Sequence, residues 1–327
     1  MDYSILQFAE VFVSISYFFI ACFNVFTTIN LHCLYSIMLH ILSLAVPVVF
    51  VDAKRYCKVK QARMPESVMD CIESVERQDI NPNTADTRFG RTPLWWAAKN
   101  KHEGIVKLLL EQDNVNPNAA DTLWGQTPLL WAAGNGDEGV VKLLLGREDI
   151  NPNIADGRFG RTPLSRAARN GHEGVVKLLL GRGDVNPNTA DTEYGQTPLL
   201  WAAASEHEGI IKLLLEREDI SPNSTNAHDG TTTLLWAAKN RCDGIVKLLL
   251  EREDIYPNTT DTRFGRTPLA WAANEGHEGV VKLLLRRDDV SPGVRDFCGV
   301  TALELAASSG YTRIQFLLGA PNLPSPP

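Results

Sequence analysis

A glycine recurs along most of the chain at a fixed interval, and this interval constrains the fold more than any other feature. The spacing is 35 residues in five successive steps and 34 residues in the last. The recurring residues are Gly90, Gly125, Gly160, Gly195, Gly230, Gly265 and Gly299. A period of this length is typical of stacked repeat arrays, in which each unit packs against its neighbours. We therefore predict a solenoid and not a single-core globule.

The repeated unit predicts two short helices. Thr-Pro follows the glycine in most units and starts a helix, because threonine accepts from free backbone N–H groups and proline suits the first helical position. The first helix carries two alanines, which allow a neighbouring helix to approach closely. The second helix, typified by Val-Val-Lys-Leu-Leu-Leu at 140–145, is apolar on nearly all sides, as expected between two neighbours. The following link, rich in Asn, Pro and Asp, predicts an extended turn or hairpin.

These motifs resemble the ankyrin repeat. Gly-x-Thr-Pro-Leu-x-x-Ala-Ala, Gly-His, Val-Val-x-Leu-Leu-Leu and Asp-Val-Asn recur in register over about four fifths of the chain. The units are also similar to the near-identical ankyrin arrays of fungi, including those attached to NACHT-type receptors. The resemblance implies an all-α ankyrin solenoid. One departure is that the family's histidine after Thr-Pro-Leu is replaced, so we expect its inter-repeat hydrogen bonds to be absent. The replacements are Trp95, Leu130, Ser165, Leu200, Leu235, Ala270 and Glu304.

The first 51 residues differ in kind from the repeats. Residues 1–51 contain no Lys or Arg, and residues 31–51 are mostly apolar. As a helix with a rise of about 1.5 Å per residue, this stretch would be long enough to cross a bilayer. We predict one or two N-terminal hydrophobic helices that serve as transmembrane segments. A pore or proton relay built from His32, His40 and Glu10 is disfavoured, because two spans would hold so few polar groups.

The remaining chain divides by composition into three parts. Residues 52–65 form a basic juxtamembrane linker, which by the positive-inside rule stays cytoplasmic together with the array. Residues 66–319 form the ankyrin domain, with an N-terminal capping half repeat, six full repeats and a C-terminal capping repeat. Residues 320–327 form a proline-rich tail, predicted to be disordered. The competing interpretation is that residues 1–63 are not translated.

Charge and cysteine content exclude several classes of function. The chain carries −7 in total; since residues 1–51 carry −2 and residues 52–63 carry +4, the array carries −9. An acidic array is a poor match for nucleic acid, so we expect no nucleic-acid partner. The six cysteines include no C-x-x-C pair, which argues against a disulfide framework and a zinc site. No catalytic motif is present, and we expect a non-enzymatic protein without cofactor, metal or small-molecule substrate.

The best candidates for a functional site are aromatic and arginine side chains beside the recurring glycines. Such side chains dominate protein-binding hot spots, and the resemblance to ankyrin proteins implies that this region lines the binding face. The alternative is that each aromatic ring folds back to cover its own hairpin. The candidate protein-binding residues are Arg88, Phe89, Trp124, Arg158, Phe159, Tyr194, Arg263 and Phe264.

Two further sets of residues recur in register and have structural explanations. A tryptophan column on the first helices is assigned to packing between repeats, and a histidine column is assigned to a turn-and-cap role. The tryptophans are Trp96, Trp131, Trp201, Trp236 and Trp271, and the histidines are His102, His172, His207 and His277.

The sequence therefore predicts a protein–protein interaction scaffold or adaptor, displayed at the cytoplasmic face of a membrane through residues 1–51. The alternative is a soluble, cytoplasmic ankyrin-repeat binding module belonging to a larger receptor-like protein.

Overall fold

The structure is a computed structural model that describes residues 81–319. Within this range the chain forms fourteen α-helices and no strand, arranged as seven units of two helices each. The first helices of units one to seven are α1 Pro93–Lys99, α3 Pro128–Gly134, α5 Pro163–Asn170, α7 Pro198–Ala204, α9 Thr233–Lys239, α11 Pro268–Glu275 and α13 Ala302–Ser308. The second helices are α2 Glu103–Leu110, α4 Glu138–Leu145, α6 Glu173–Leu180, α8 Glu208–Leu215, α10 Asp243–Leu250, α12 Glu278–Leu284 and α14 Thr312–Leu317.

Several predictions concern residues outside this range. The hydrophobic segments, the basic linker, the N-terminal capping half repeat and the proline-rich tail all lie outside the described residues. The seven helix pairs all belong to one compact unit of the chain.

Each first helix begins as the Thr-Pro motif predicts. In unit two the side chain of Thr127 accepts a hydrogen bond from the backbone N–H of Leu130 at 3.1 Å, and Pro128 occupies the first helical turn. A threonine caps the first helix in all seven units. The cap accounts for one of the N–H groups that a helix N-terminus leaves without an intrahelical partner.

The hydrophobic core runs continuously through the stack. Ala132 and Ala133 of α3 are fully buried, so the first helices of adjacent units pack directly on one another. On α4, Val140, Val141 and Leu144 are buried between the preceding and following second helices. The core is therefore shared between units, as the all-round apolar pattern of the second helix predicts.

The links between units are turns and not β-hairpins. The Asn-Pro-Asn segment cannot build a strand ladder, because its proline lacks an N–H group. Its second asparagine instead bonds the next unit: Asn118 donates to the carbonyl of Asp149 at 2.7 Å and accepts from the N–H of Asn151 at 2.8 Å. The hairpin form of the sequence prediction is thus wrong, since side chains satisfy the backbone groups that a strand would have paired.

An arginine in five of the six links between units joins two consecutive units. Arg147 makes two parallel hydrogen bonds to Asp149, both at 2.9 Å, and donates to the carbonyl of Leu110 at 2.8 Å. That carbonyl lies at the C-terminus of the preceding second helix, where backbone acceptors lack helical partners. We call the five equivalent ion pairs the link clamps: Arg147–Asp149, Arg182–Asp184, Arg217–Asp219, Arg252–Asp254 and Arg287–Asp289.

The histidine column caps helices, as predicted. Three of the four rings lie beside the last turn of the first helix in the preceding unit, with His172 Nε2 3.0 Å from the carbonyl oxygen of Gly134. His207 and His277 occupy equivalent positions beside Arg169 and Lys239. The rings thus bond helix ends and are not gathered at one site.

Candidate functional site

A loop of six residues in units one to six, and of five residues in unit seven, precedes each first helix, and these loops carry the candidate residues. In unit two this loop runs from Asp121 to Gln126 and is closed by a hydrogen bond from the N–H of Asp121 to the carbonyl of Gln126 at 3.0 Å. The carboxylate of Asp121 accepts from the N–H groups of Trp124 and Gln126. Gly125 has a φ of 65°, a left-handed conformation that favours glycine. We call these loops the tips.

Consecutive tips are joined directly by their backbones. The N–H of Thr122 donates to the carbonyl of Phe89 at 2.8 Å, and the N–H of Gly157 donates to the carbonyl of Trp124 at the same distance. Equivalent bonds join every pair of neighbouring tips up to unit seven. The tips therefore form one continuous, ordered edge of the array.

The tryptophan column supports the tips from beneath. Trp201 is 8% exposed and Trp271 is 7% exposed, in agreement with the predicted packing role. Their indole N–H groups donate to the carboxylates of Asp191 and Asp261, at 2.6 and 2.8 Å. The column thus holds the carboxylates that shape the loops, a function that the sequence pattern did not indicate.

Units two and three vary this arrangement. In unit three Arg166 replaces the tryptophan, and its Nη2 lies 3.1 Å from Asp156 Oδ2. In unit two the buried indole N–H of Trp131 has no partner, and its ring is tilted against Trp95 at 5.2 Å. Arginine can replace tryptophan here because both side chains offer an N–H donor to the tip carboxylate.

Trp95 corrects one expectation drawn from the missing family histidine. Its indole N–H donates to the carbonyl of Gln126 in the next unit at 2.9 Å, so an inter-repeat hydrogen bond is made from this position in unit one. The expectation of no such bond is wrong there, because a long side chain with a ring N–H reaches the neighbouring tip.

The candidate aromatic residues are exposed on one side and supported on the other. Trp124 is 37% exposed, Tyr194 is 44% exposed and Phe264 is 38% exposed. The ring of Phe264 stands edge-on to Trp271 with centroids 5.5 Å apart, and that of Tyr194 stands edge-on to Trp201 at 6.3 Å. The rings partly cover their own units, as the alternative interpretation states, yet each keeps a face toward solvent. Phe89 and Phe159 are half-buried.

The candidate arginines lie against these rings. The guanidinium carbon of Arg158 lies 4.6 Å from the ring centre of Phe159 and 6.0 Å from that of Trp124. Arg88 and Arg263 lie 4.8 and 5.1 Å from the phenylalanine rings that follow them. Stacking restricts these long side chains while leaving their N–H edges free to bond a partner. Arg88, Arg158 and Arg263 are all exposed.

A second set of arginines connects neighbouring tips. Arg91 and Arg161 are both 8% exposed, and Arg161 Nη2 lies 2.8 Å from Glu193 in the next tip. Burial lowers the pKa of Arg161, and the nearby positive charge of Arg169 lowers it further. Arg266 pairs in the same way with Asp296, at 3.2 Å.

Three basic residues on the same face were missed by the sequence analysis. Lys99, Arg169 and Lys239 occupy the end of the first helix in units one, three and five. Each lies over a tryptophan of the following unit; Arg169 is 4.5 Å from the ring centre of Trp201 and Lys239 is 4.3 Å from that of Trp271. Their spacing of 70 residues, twice the repeat period, was the available signal. We call the surface formed by the tips and these helix ends the tip face.

Nothing in the described range resembles a metal site, because no group of three or more His, Cys, Asp or Glu residues between residues 81 and 319 lies close enough to bind a metal ion. In the same range, no helix combines the length and apolar character needed to cross a bilayer.

Comparison with known proteins agrees with this architecture. The model of a family described as "Ankyrin repeats (3 copies)" matches residues 62–156, 114–191, 149–226, 216–296 and 234–323. The chain belongs to the ankyrin repeat family. Ankyrin arrays are typically non-enzymatic binding scaffolds, so membership implies protein partners without identifying them.

A solved structure of an ankyrin domain is also similar. It is the crystal structure of the ankyrin repeat domain of Bcl-3, described as a unique member of the IkappaB protein family. The two share 25% sequence identity with a TM-score of 0.62, over 70% of this chain and 98% of the Bcl-3 domain. No curated protein sequence matches the chain.

Proposed function

We propose that this ankyrin array is a non-enzymatic scaffold or adaptor that binds a protein partner through its tip face. The observation that carries the proposal is the exposure of Trp124, Tyr194 and Phe264 on loops whose backbones are hydrogen-bonded to neighbouring tips and to an anchoring carboxylate. Large aromatic residues on a rigid framework lose little conformational freedom on binding, so more of their contact energy appears as affinity. Six of the seven tips also carry an anchoring aspartate, and the fifth has Asn226 in its place, so that each loop is ordered before a partner arrives.

The test uses binders selected from a random-peptide display library with the full chain. Affinities are then measured for the double variant Trp124→Ala with Arg158→Ala. We expect binding to weaken about tenfold or more, since hot-spot truncations each cost over about 1 kcal/mol. The matched control is Tyr256→Ala with Lys107→Ala, which removes an exposed aromatic ring and an exposed cation outside the tip face. Equal affinity losses in the two double variants would refute the assignment.

A finer part of the proposal concerns residues 1–51. Their hydropathy and the basic cluster at residues 54–63 support display of the array at the cytoplasmic face of a membrane. The alternative is a soluble binding module that acts without this segment, or as part of a larger receptor-like protein. Carbonate extraction and protease protection of the full chain, tagged at its C-terminus, separate the two. A tag in the pelleted membrane and digestible from the cytosol supports display, whereas release by carbonate refutes it.

A further inference from the structure

The tip face carries two kinds of basic residue, those that are paired with a carboxylate and those that are not. The link clamps neutralise one arginine in each of five links, and Arg91, Arg161 and Arg266 each face a carboxylate of the next tip. In the part of the chain that the structure describes, a second set of tip-face cations makes no ion pair. This set is Arg88, Lys99, Arg158, Arg169, Lys239 and Arg263.

The carboxylates nearest to these cations are already engaged. Asp156 is 3% exposed and accepts from the N–H groups of its own tip and from Arg166. Asp191 is 4% exposed and accepts from three N–H groups of its tip and from Trp201. Burial and hydrogen bonding keep these anions away from the exposed guanidinium and ammonium groups. The tip face therefore presents positive charge to solvent on an array whose net charge is −9.

The unpaired positive charge is greatest in units one and three. Unit one presents Arg88 and Lys99, and unit three presents Arg158 and Arg169, whereas unit two presents Trp124 between them. Arg161 and Arg169 both lie over Trp201, at 4.8 and 4.5 Å, with Glu193 the only carboxylate paired to either within residues 81–319. Units one and three thus each carry a group of cations, with Trp124 of unit two between them, and we call these two groups the basic places.

The separation of these places sets the spacing of a complementary ligand. First helices of adjacent units pack directly, and packed helices lie about 8–10 Å apart. Units one and three are therefore about 16–20 Å apart along the tip face. An extended peptide advances about 3.3 Å per residue, so five or six residues span this distance.

We propose that the tip face binds an extended acidic segment of a protein partner, with carboxylates five or six residues apart and an apolar residue between them that contacts Trp124. This inference rests on the proposed function and adds the chemistry of the partner. Nucleic acid fits the arrangement less well, because a long polyanion would meet the negative charge of the rest of the array. A short acidic segment needs only the two basic places.

Fluorescence anisotropy with the full chain tests the proposal. The labelled peptide Glu-Asp-Ser-Leu-Ser-Ser-Glu-Asp has acidic pairs that begin six residues apart. Its control, Ser-Ser-Glu-Asp-Glu-Asp-Ser-Leu, has the same composition with the acids contiguous. We expect the spaced peptide to bind about fivefold tighter, because only it reaches both basic places. No binding of the spaced peptide at about 1 mM, or equal binding of the two, would overturn the proposal.

A pair of matched charge variants locates the contact. Lys99→Gln with Arg169→Gln should weaken the spaced peptide about tenfold, as expected for two ion pairs of about 0.7 kcal/mol each. Lys107→Gln with Lys177→Gln removes the same charge from exposed positions on the second helices of the same two units, and should change affinity less than about twofold. Equal effects of the two variants would assign the binding to net charge and overturn the proposal.

Two other results separate this inference from the proposed function. If the library binders depend on Trp124 and Arg158 but are neutral or basic, the tip face binds proteins and the acidic-segment proposal fails. If no binder depends on those residues, the proposed function itself fails. Tighter binding of a single-stranded oligothymidine than of the spaced peptide, lost in Lys99→Gln with Arg169→Gln, would assign the face to nucleic acid instead.

Discussion

The hydrogen bond between Asp191 and Trp201 predicts a measurable cost for a nearly isosteric change. Asp191 Oδ1 accepts from the N–H groups of Glu193, Tyr194 and Gly195 at 3.1, 2.7 and 3.1 Å, and Oδ2 accepts from the indole of Trp201 at 2.6 Å. In Asp191→Asn the amide oxygen can keep the backbone bonds, but the NH₂ group then faces the indole N–H. Two donors then face each other at a buried site, since Asp191 is 4% exposed and Trp201 is 8% exposed.

The magnitude follows from the loss of one charge-assisted bond. Such bonds contribute about 1.5–3 kcal/mol, and burial prevents water from replacing the lost acceptor. We expect Asp191→Asn to lower the free energy of unfolding by this amount, measured by urea denaturation followed by far-UV circular dichroism. Asp191→Asn in a Trp201→Phe background should cost less than about 1 kcal/mol, because the indole donor is already absent. An equal cost in both backgrounds would refute the reasoning.

The fifth unit naturally carries the asparagine that this substitution would introduce. Asn226 occupies the position of Asp191, and its Oδ1 accepts from the N–H groups of Asp229 and Thr231. Among residues 81–319 the indole N–H of Trp236 finds no acceptor. Asn226→Asp would supply one, so we expect it to stabilise the array by about 0.5–1.5 kcal/mol in the same assay. Unchanged or reduced stability would show that the fifth tip does not place this side chain over its tryptophan.

Three further predictions concern the core, the candidate site and the links. Leu144→Ala should destabilise the array by about 2–5 kcal/mol because Leu144 is fully buried, whereas Leu108→Ala, at a position 48% exposed, should have little effect on the urea midpoint. The double variant Trp124→Ala with Arg158→Ala should leave the thermal melting curve nearly unchanged, and a large drop would mean that these side chains are structural. In every link clamp the hydrogen bond from arginine lowers the pKa of the aspartate. The stabilisation by the clamp is therefore fully present above the unfolded-state aspartate pKa of about 3.9, and it is lost as the pH falls through the lower folded-state pKa. Urea titrations across this range should show that loss, and the loss should be smaller in Arg217→Gln; identical pH profiles would contradict the role of the clamp.

Much of the fold could be predicted because its signals are local. A threonine and the N–H group three residues later form a cap within one turn, so the helix starts follow from residues that are neighbours in sequence. The burial of Leu144 follows from an apolar pattern that leaves no polar face. The prediction of candidate residues at the tips depended on residue type, on their position beside the repeated glycine and on the resemblance to ankyrin proteins. The candidate residues are exposed or half-buried, and their role in binding stays a prediction.

Most of the features that were missed join residues of different units, 31 to 37 positions apart. Arg169 lies over Trp201 and Trp95 bonds the carbonyl of Gln126, and neither contact follows from composition or helix periodicity. The asparagine bonds that replaced the expected hairpin are of the same kind. Each depends on how far one unit is translated and rotated relative to the next, which is decided by packing of the shared core.

The sequence by itself therefore determined the period, the helix starts, the apolar faces and the position of the tips, because these arise from interactions within a single turn or a single unit. The tertiary structure decided which side chains act across units. Stacking brings the indole of Trp95 to the carbonyl of Gln126, buries Arg161 beside Glu193, and leaves Lys99 and Arg169 unpaired on the tip face. Whether a given charge is neutralised or free depends on the neighbouring unit, and only the packed array brings the two together.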